Sequence, residues 1–262
     1  MLYLRSKYIL YLPLLIYLVL IFYCGNAGSF NENTESGLFA SGMRDFERRN
    51  YFRARGKFEM LMKLYPGSTV IDSAQFFLSE SYYGLKEYIS AASEYQNLIR
   101  NYPNSQLADD AQYKIGMSYN ELSADYNLDQ DYTINSINEF ITLIEDYPAS
   151  DYVEDAANKI MESRGKLARK RFENAKQYKK LGSYVAARRY FLNVLEDYID
   201  TRWASEAMFE IGECEMKLKD FQNAKRTFEE FIKIFPDHKF VGNAKSRLQQ
   251  LSDEKILSEK LK

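Results

Sequence analysis

Apolar positions in this chain follow a helical period that recurs five times. In each copy a small residue is followed four positions later by an aromatic one, and three positions after that by another apolar one. Spacings of four and three place these side chains on one helical face, and four of the five copies then reach a helix-ending proline. The pattern predicts five amphipathic helices, with the face residues Ala54, Phe58, Leu61; Ala91, Tyr95, Leu98; Ser136, Phe140, Leu143; Ala187, Phe191, Val194; and Ala224, Phe228, Phe231.

An aromatic residue precedes each of these prolines, and the resulting dipeptide sets the period. The copies are Tyr65-Pro66, Tyr102-Pro103, Tyr147-Pro148 and Phe235-Pro236, with Tyr198-Ile199 as a degenerate fifth. The distances between successive copies are 37, 45, 51 and 37 residues. A repeat of this length with helical patterning is typical of a helical solenoid.

A further helix is predicted ahead of each face. It carries an apolar residue, a small neighbour and a nearby aromatic residue, as in Ile115-Gly116 with Tyr119. Small residues let two helices approach closely, so each unit is a helical hairpin. The five hairpins resemble the tetratricopeptide repeat. This resemblance implies an all-α, right-handed superhelical solenoid over residues 37–252, in which each hairpin buries its open face against the next.

The first 24 residues are interpreted as a targeting segment. Arg5 and Lys7 precede an apolar run from Tyr8 to Tyr23, which is too short to read comfortably as a full membrane span. Cys24 follows directly, and this order resembles the lipid-attachment site of bacterial lipoproteins, which implies acylation of Cys24. Tyr23 departs from that motif, which usually has Gly, Ala or Ser before the cysteine. Cleavage after Ala27 and retention as an uncleaved anchor are the alternatives.

Two short segments flank the repeats. Residues 25–36 are rich in Gly, Asn and Ser, which predicts a flexible tether, and residues 253–262 are predicted to form a charged tail. All three fates of the leader place the repeats outside the cytoplasmic membrane. If Cys24 is acylated, two or more acyl chains would hold the protein stably on a bilayer.

Two repeats depart from the regular length. The third has eight extra residues in the polar, Asp-rich stretch Ser123 to Thr133, predicted as a loop, and the fourth has a long first helix, about Tyr152 to Leu181. With the number of repeats, these features resemble the BamD-type lipoproteins of the outer-membrane protein assembly machinery. The resemblance implies a lipid-anchored protein on the periplasmic face of the outer membrane. Such a protein binds unfolded barrel precursors and the soluble domains of the barrel-forming insertase.

Composition and motifs favour binding over chemistry. The net charge of -2 gives no general attraction for nucleic acid. His238 is the single histidine, expected in an exposed connecting loop, so histidine metal clusters and Ser-His-Asp or Cys-His catalysis have no partner set. Cys214 is expected to be a small packing residue, and the glycines form no phosphate-binding loop. We therefore expect a non-enzymatic protein without metal, cofactor or nucleic-acid partner.

The resemblance to tetratricopeptide proteins implies a groove lined by the first helix of each repeat. In this register the N-terminal lining is aromatic and Met-rich, which suits extended peptides with alternating aromatic side chains. The alternative is that these aromatic residues pack between repeats. The lining residues are Phe39, Met43 and Phe46 in repeat one, Phe76, Glu80 and Tyr83 in repeat two, and Tyr113, Met117 and Asn120 in repeat three.

Charge is segregated along the chain. From Glu121 to Glu162 there are eleven acidic residues and one basic residue, whereas from Arg164 to Arg189 there are ten basic residues and one acidic. Such blocks require a counter-surface. Either adjacent repeats neutralise one another, or the basic block docks a partner protein or anionic headgroups through Arg164, Arg169, Lys170 and Arg171.

A second functional class fits the same repeats. A different envelope scaffold, linked to cell division or peptidoglycan, would use the same fold without binding barrel precursors. The two hypotheses differ in what co-purifies with the protein from the envelope: the barrel insertase in one case and cell-wall machinery in the other.

Overall fold

The computed structural model describes residues 33–260, with side-chain environments for residues 33–253. The predicted leader, Cys24 and most of the tether lie outside the described residues. Within them the chain forms eleven helices and no strand. The helices are α1 (Glu35–Glu47), α2 (Tyr51–Leu64), α3 (Ile71–Gly84), α4 (Tyr88–Asn101), α5 (Ala108–Leu122), α6 (Asp131–Asp146), α7 (Val153–Lys180), α8 (Tyr184–Asp197), α9 (Arg202–Lys217), α10 (Phe221–Ile234) and α11 (Val241–Lys260).

The helices form five consecutive hairpins, α1–α2 to α9–α10, followed by α11. Each helix packs chiefly on its neighbours in sequence, as in a solenoid. Ala244 and Leu251 of α11 pack into the core cluster of the last hairpin, so α11 covers the face that a further repeat would occupy. The predicted all-α solenoid of five helical hairpins is confirmed.

The predicted face residues form the centre of each hairpin. All fifteen, three from each second helix, are fully buried. The two hydroxyl-bearing members are satisfied: Ser136 donates to the Gly116 carbonyl at 3.0 Å, and Tyr95 donates to Glu80. The spacing of four and three in the sequence therefore identified the core of every repeat.

In the first, third and fifth hairpins the aromatic ring of the second helix packs directly against a glycine of the first. A Cβ atom built on Gly116 would lie 2.6 Å from Phe140 Cε1, and one on Gly212 would lie 2.6 Å from Phe228 Cε1. Gly42 has the same relation to Phe58, at 2.8 Å. Only a missing side chain lets the two helices come this close, which explains the small residues predicted in the first helices.

Both kinds of turn follow local sequence. The second helices end immediately before the repeated aromatic residue, for example at Leu64 before Tyr65. The turn inside a hairpin uses one residue in the left-handed region, with φ near +60° at Arg49, Lys86 and Lys219. In the fourth hairpin this position is Gly182, at φ +75°.

The two irregular repeats are close to their predicted form. The insert is a loop over residues 123–130, and α6 already begins at Asp131, so the last three residues predicted as loop are helical. The buried Gln130 side chain donates to the carbonyls of Asp125, Leu128 and Asp129, which holds the loop in a compact turn. The long helix α7 has 28 residues. The predicted boundary at residue 252 falls inside α11.

None of the helices between residues 33 and 260 combines the length and apolarity needed to cross a membrane. Cys214 is a buried free thiol, and burial raises its pKa to about 12, which keeps it protonated and unreactive. His238 is partly buried rather than exposed, with its ring 5.4 Å from Phe231 and 5.2 Å from Phe240. Its role is packing.

Candidate peptide-binding groove and docking surface

Two pairs of successive first helices contact each other across the stack. Contacts are made between α1 and α3 and between α7 and α9, whereas successive second helices are not in comparable contact over the described residues. A stack in which the first helices lie closer together curves towards them. On this basis the residues of α1, α3 and α5 that point away from the core are the candidate inner surface.

In the first repeat the three predicted groove residues are half-buried. Phe46 lies 5.3 Å from the ring of Phe77 and 5.4 Å from that of Tyr51. Phe39 lies 6.0 Å from Phe58, and Met43 packs against the same cluster. These side chains use one side for packing between repeats and keep the other side accessible, so both readings of the sequence apply to them.

Phe76 in the second repeat has a different environment. Its ring is only 9% exposed and contacts Tyr95 and Phe77, each at 5.7 Å between centroids. Phe76 therefore belongs to the core between the second and third hairpins. The prediction that it is an open groove residue is wrong. The physical reason is that α3 packs against helices on both sides. The position of a residue around the helix therefore does not by itself distinguish core residues from groove residues.

Glu80 is the centre of a polar network that the sequence did not reveal. It accepts a hydrogen bond from the Tyr95 hydroxyl and lies 2.7 Å from Lys114 Nζ. Lys114 Nζ also lies 5.1 Å from the centre of the Tyr83 ring, within reach of a cation–π interaction. Burial, reinforced by the Glu80 charge, raises the pKa of Tyr95 well above its usual range. The Tyr95 hydroxyl therefore remains a hydrogen-bond donor.

Paired tyrosines form the inner surface of the third repeat. Tyr113 stacks on Tyr152 with 4.3 Å between centroids and 13° between planes. Tyr113 donates its hydroxyl proton to Asp155, and Tyr152 donates to Asp110 at 2.7 Å. The bond to Asp110 raises the pKa of Tyr152 to about 12. Stacking and carboxylate acceptors thus fix two half-buried tyrosine rings in place.

The other two predicted residues of this repeat flank the tyrosines. Met117 packs with Tyr113 against the hydrophobic cluster around Phe140. Asn120 is half-buried, and its carbonyl accepts the Ser123 amide proton at 3.1 Å. Eight of the nine predicted groove residues, all except Phe76, therefore retain partial exposure.

Two of the four predicted docking residues are held by the chain itself. The Arg164 guanidinium donates to both carboxylate oxygens of Asp200 at 2.7 Å and to the Asp197 carbonyl at 2.8 Å. Arg171 pairs with the Asp197 carboxylate. These contacts fasten α7 to the turn between α8 and α9. Arg164 and Arg171 are thus already committed to stabilising the junction between the fourth and fifth repeats.

The other two predicted docking residues hold the insert. Lys170 Nζ donates to the Leu128 carbonyl at 2.6 Å, and the Arg169 guanidinium lies 3.8 Å from the centre of the Tyr126 ring. Lys166 adds a bond to Ser123 at 2.7 Å. The insert is therefore attached to α7 by cationic side chains through backbone and aromatic contacts, rather than through its own carboxylates.

The partners of the basic block lie further along the chain than the acidic block. Besides Asp197 and Asp200, Lys179 pairs with Glu210, and Arg188 pairs with Glu215 at 2.8 Å. None of the ion pairs found over residues 33–253 joins the basic block 164–189 to the acidic block 121–162. Neutralisation between adjacent repeats is therefore real, but it runs from α7 and α8 to the turn after α8 and to the fifth repeat.

Two clefts flank α7. One, of about 460 Å³, is lined by Tyr126, Trp203, Arg169 and Arg202 among others. The other, of about 340 Å³, is lined by the apolar or aromatic side chains Ile134, Ile137, Leu167 and Tyr198 and by Gln130, Arg164, Lys170 and Arg171. The four docking residues thus border two separate surfaces. Sequence reasoning missed Tyr126 and Trp203, since nothing in a single sequence brings the insert and α9 to the same cleft.

The described side chains contain no group of three or more His, Cys, Asp or Glu residues arranged to hold a metal ion. The tyrosine and carboxylate groups of the inner surface are hydrogen-bonded to one another. The candidate surface presents half-buried aromatic rings, methionine side chains and a few carboxylates. This composition suits reversible binding of a peptide.

Comparison with protein families gives two matches. A model described as YfiO, an outer membrane lipoprotein, matches residues 31–219. A model of the tetratricopeptide repeat matches residues 206–238, a stretch that covers most of α9, the following turn and all of α10. The first match covers most of the chain, including the insert and the long helix.

Solved structures with similar folds share little sequence. A tetratricopeptide-repeat protein from Bacteroides fragilis is 14% identical, with a TM-score of 0.46, over 84% of this chain and 99% of its own. The TPR2AB domain of yeast Sti1, solved in a complex with an HSP90 peptide, is 11% identical, with a TM-score of 0.39, over 83% of this chain and 98% of its own. A comparison with curated protein sequences gives no match.

Proposed function

The chain belongs to the YfiO family of outer membrane lipoproteins, the BamD-type family, and from this membership we propose that it serves the assembly of outer-membrane barrels. In this proposal it is held on the periplasmic face of the outer membrane by acyl chains on Cys24. Its N-terminal groove receives unfolded barrel precursors, and its fourth repeat docks on the insertase. It acts by binding and carries out no chemical step.

The observation that carries the precursor-binding role is the inner surface of the first three repeats. Half-exposed rings of Phe39, Phe46, Tyr83 and Tyr113 follow one another there, interleaved with Met43 and Met117. An unfolded strand of a barrel alternates apolar and polar side chains. Ring faces and deformable methionines can accept its apolar side chains without demanding one sequence.

The docking role rests on the clefts beside α7. Since Arg164 and Arg171 are engaged with Asp197 and Asp200, the cationic group most available to a partner is Arg169, which is exposed beside the Tyr126 and Trp203 rings. Arginine next to aromatic rings is the composition that dominates binding energy in protein interfaces. We assign the insertase contact to this cleft.

The groove is tested by replacing Tyr83 and Met117 together with alanine. Binding of a peptide from a barrel strand should weaken about tenfold, the loss expected when two contact residues of an interface are truncated. Far-ultraviolet circular dichroism should be unchanged, because neither residue is fully buried. Tyr132→Ala, at an exposed position on α6, is the matched control. Equal binding by the double variant and the control would refute the groove.

The docking surface is tested by co-purification from detergent-solubilised envelope. Arg169→Glu should reduce recovery of the insertase, whereas Lys225→Glu, an exposed cation on α10, should not. Unchanged recovery with Arg169→Glu would reject this cleft. Recovery of cell-wall machinery in place of an insertase, with the unsubstituted chain, would favour the alternative envelope scaffold. Mass spectrometry of the mature N-terminus tests acylation of Cys24 separately.

A further inference from the structure

The outer face of α2 carries an apolar stripe that the fold leaves uncovered. Phe52, Gly56, Met60 and Leu64 follow one another at intervals of four, which places them along one side of the helix. All four are exposed, with 69% for Phe52, 49% for Met60 and 57% for Leu64. None of the apolar three belongs to a core cluster of the described residues. The stripe spans the whole helix.

The repeats allow the stripe of α2 to be compared with the equivalent four positions of other second helices. In α4 they hold Ile89, Ser93, Asn97 and Asn101, and in α8 they hold Val185, Arg189, Asn193 and Asp197. In α10 they hold Gln222, Arg226, Glu230 and Ile234. Only the first repeat therefore keeps this face free of polar side chains among these four helices, although the core stripe is the same in all of them.

Most charged residues beside the stripe are basic, and the exposed Glu59 next to Met60 lies 3.9 Å from Arg55. Arg53 and Lys63 are exposed on the same side of α2, and Arg48 and Arg49 are exposed in the turn before it. The first hairpin, residues 35–64, contains seven basic and four acidic residues, whereas the second, residues 71–101, contains two basic and four acidic. An apolar strip bordered by cations is the pattern of helices that lie in the interface of an anionic bilayer.

The chain also enters the fold beside this stripe. The Tyr65 hydroxyl donates to the Asn33 carbonyl at 2.9 Å, and Tyr65 directly follows Leu64, the last stripe residue. Ser68 fixes the start of α1 through a 2.6 Å bond to Glu35. Eight residues separate Cys24 from Asn33. Fully extended, that segment reaches no more than about 30 Å. Acyl chains on Cys24 would therefore keep the first hairpin close to the bilayer.

We propose that α2 is a second, non-covalent membrane contact, in which the Phe52–Leu64 stripe lies in the headgroup region of an anionic phospholipid surface. This inference rests on the proposed function in one respect: acylation of Cys24 would hold the first hairpin near the bilayer. It does not depend on the groove, because the stripe lies on the outer face of α2. A tether alone lets the solenoid rotate freely above the membrane. A second contact at the base of the tether fixes the orientation of the groove.

The test places an environment-sensitive fluorophore on the stripe of the full chain. Gly56→Cys is suitable because a Cβ atom there meets nothing within 4 Å. Ser93→Cys, at the equivalent exposed position on α4, is the matched control. Cys214 is buried and reacts with neither label, and the unsubstituted chain carried through the same labelling reports any contribution from Cys24. The labelled proteins are reconstituted into phosphatidylethanolamine vesicles with and without phosphatidylglycerol.

With phosphatidylglycerol present, the probe at residue 56 should be quenched by aqueous iodide about fivefold less than the probe at residue 93, because one lies in the interface and the other in water. Adding about 0.5 M salt should reduce this protection, since it screens the cationic flanks. Replacing Phe52, Met60 and Leu64 by Ser should abolish it, whereas Ile89→Ser on α4 should not.

Several outcomes would overturn the inference. If the protein floats with the vesicles but the two probes are quenched equally, the anchor holds and α2 does not touch lipid. If residue 56 is protected in native envelope but not in pure lipid vesicles, a protein covers the stripe instead. If the chain does not float at all, both the anchor and the interfacial contact fail. Peptide binding in the groove is measured independently, so neither result decides the other.

Discussion

Gly116 lies directly beneath the ring of Phe140, so close that a methyl group on Gly116 would approach Phe140 Cε1 to 2.6 Å. Phe140 is fully buried and cannot swing away. We therefore expect Gly116→Ala to destabilise the protein by about 1–3 kcal/mol, the usual cost of overpacking a core. Urea denaturation followed by circular dichroism measures it.

The control for this substitution lies in the long helix. Gly165 of α7 is also helical, but a Cβ atom there meets nothing within 4 Å. Gly165→Ala should therefore stabilise the protein by about 0.5–1 kcal/mol, because alanine loses less backbone entropy than glycine on forming a helix. Similar effects of the two substitutions would contradict the close packing of Gly116.

A third glycine tests backbone conformation alone. Gly182, between α7 and α8, has φ +75° and open space around its Cα atom. Gly182→Ala should cost about 1–2 kcal/mol, because the left-handed region is strained for a residue with a Cβ atom. The same denaturation experiment applies. A neutral result would mean that the turn rearranges without cost.

The pair of Arg164 and Asp200 should make a pH-dependent contribution to the free energy of unfolding, at the junction of the fourth and fifth repeats. The guanidinium donates two hydrogen bonds and thereby lowers the pKa of the Asp200 carboxyl. A carboxyl with a lowered folded-state pKa stabilises the fold above its unfolded pKa, and this stability is lost as pH falls through the folded value. Asp200→Asn should therefore destabilise the protein at neutral pH.

The difference between Asp200→Asn and the unsubstituted protein should shrink below the ordinary aspartate pKa of about 4. Both side chains are partly exposed, so the effect at neutral pH should remain under about 1 kcal/mol. Asp237→Asn serves as the control, because the Asp237 side chain is exposed and makes no ion pair over residues 33–253. A difference that stays constant with pH would show that the pair contributes nothing through ionisation.

The contact between Tyr126 and Arg169 should limit the mobility of the insert. Because the guanidinium lies 3.8 Å from the ring centre, Tyr126→Ala removes a cation–π contact between the insert and α7. Such contacts at exposed sites are worth about 0.5–1 kcal/mol, so amide exchange across residues 123–130 should accelerate about three- to fivefold. Hydrogen–deuterium exchange with mass spectrometry measures this, with Phe221→Ala as a distant control. Unchanged exchange would show that Lys166, Lys170 and Gln130 hold the insert alone.

Much of the fold could be predicted because the buried residues of each repeat follow a recognisable local spacing in the sequence. The spacing of Ala54, Phe58 and Leu61 is enough to define a buried face, and repetition at a regular interval shows that the face is not accidental. The small residue at Gly116 indicated a close approach of two helices, although its contact with the Phe140 ring came only from the structure. The end of the insert was missed by three residues, because Asp131 can belong to a polar loop or begin a helix.

The interaction surfaces were less predictable because they depend on packing between repeats. Phe76 and Tyr83 lie on the same helix with similar sequence surroundings, yet the ring of Phe76 is buried against Tyr95 while that of Tyr83 is half-exposed. The charge blocks indicated neutralisation between adjacent repeats but not its partners, because Arg164 pairs with Asp200, which lies outside the acidic block 121–162. Tertiary neighbours of this kind are not encoded in spacing.

The pairing of each helix with its neighbours in sequence has a consequence for how this protein is made. No stage of its folding has to wait for a distant part of the polypeptide, since short-range topologies assemble quickly. A polypeptide that is released with its amino end first can therefore complete one hairpin after another, until α11 closes the last open face.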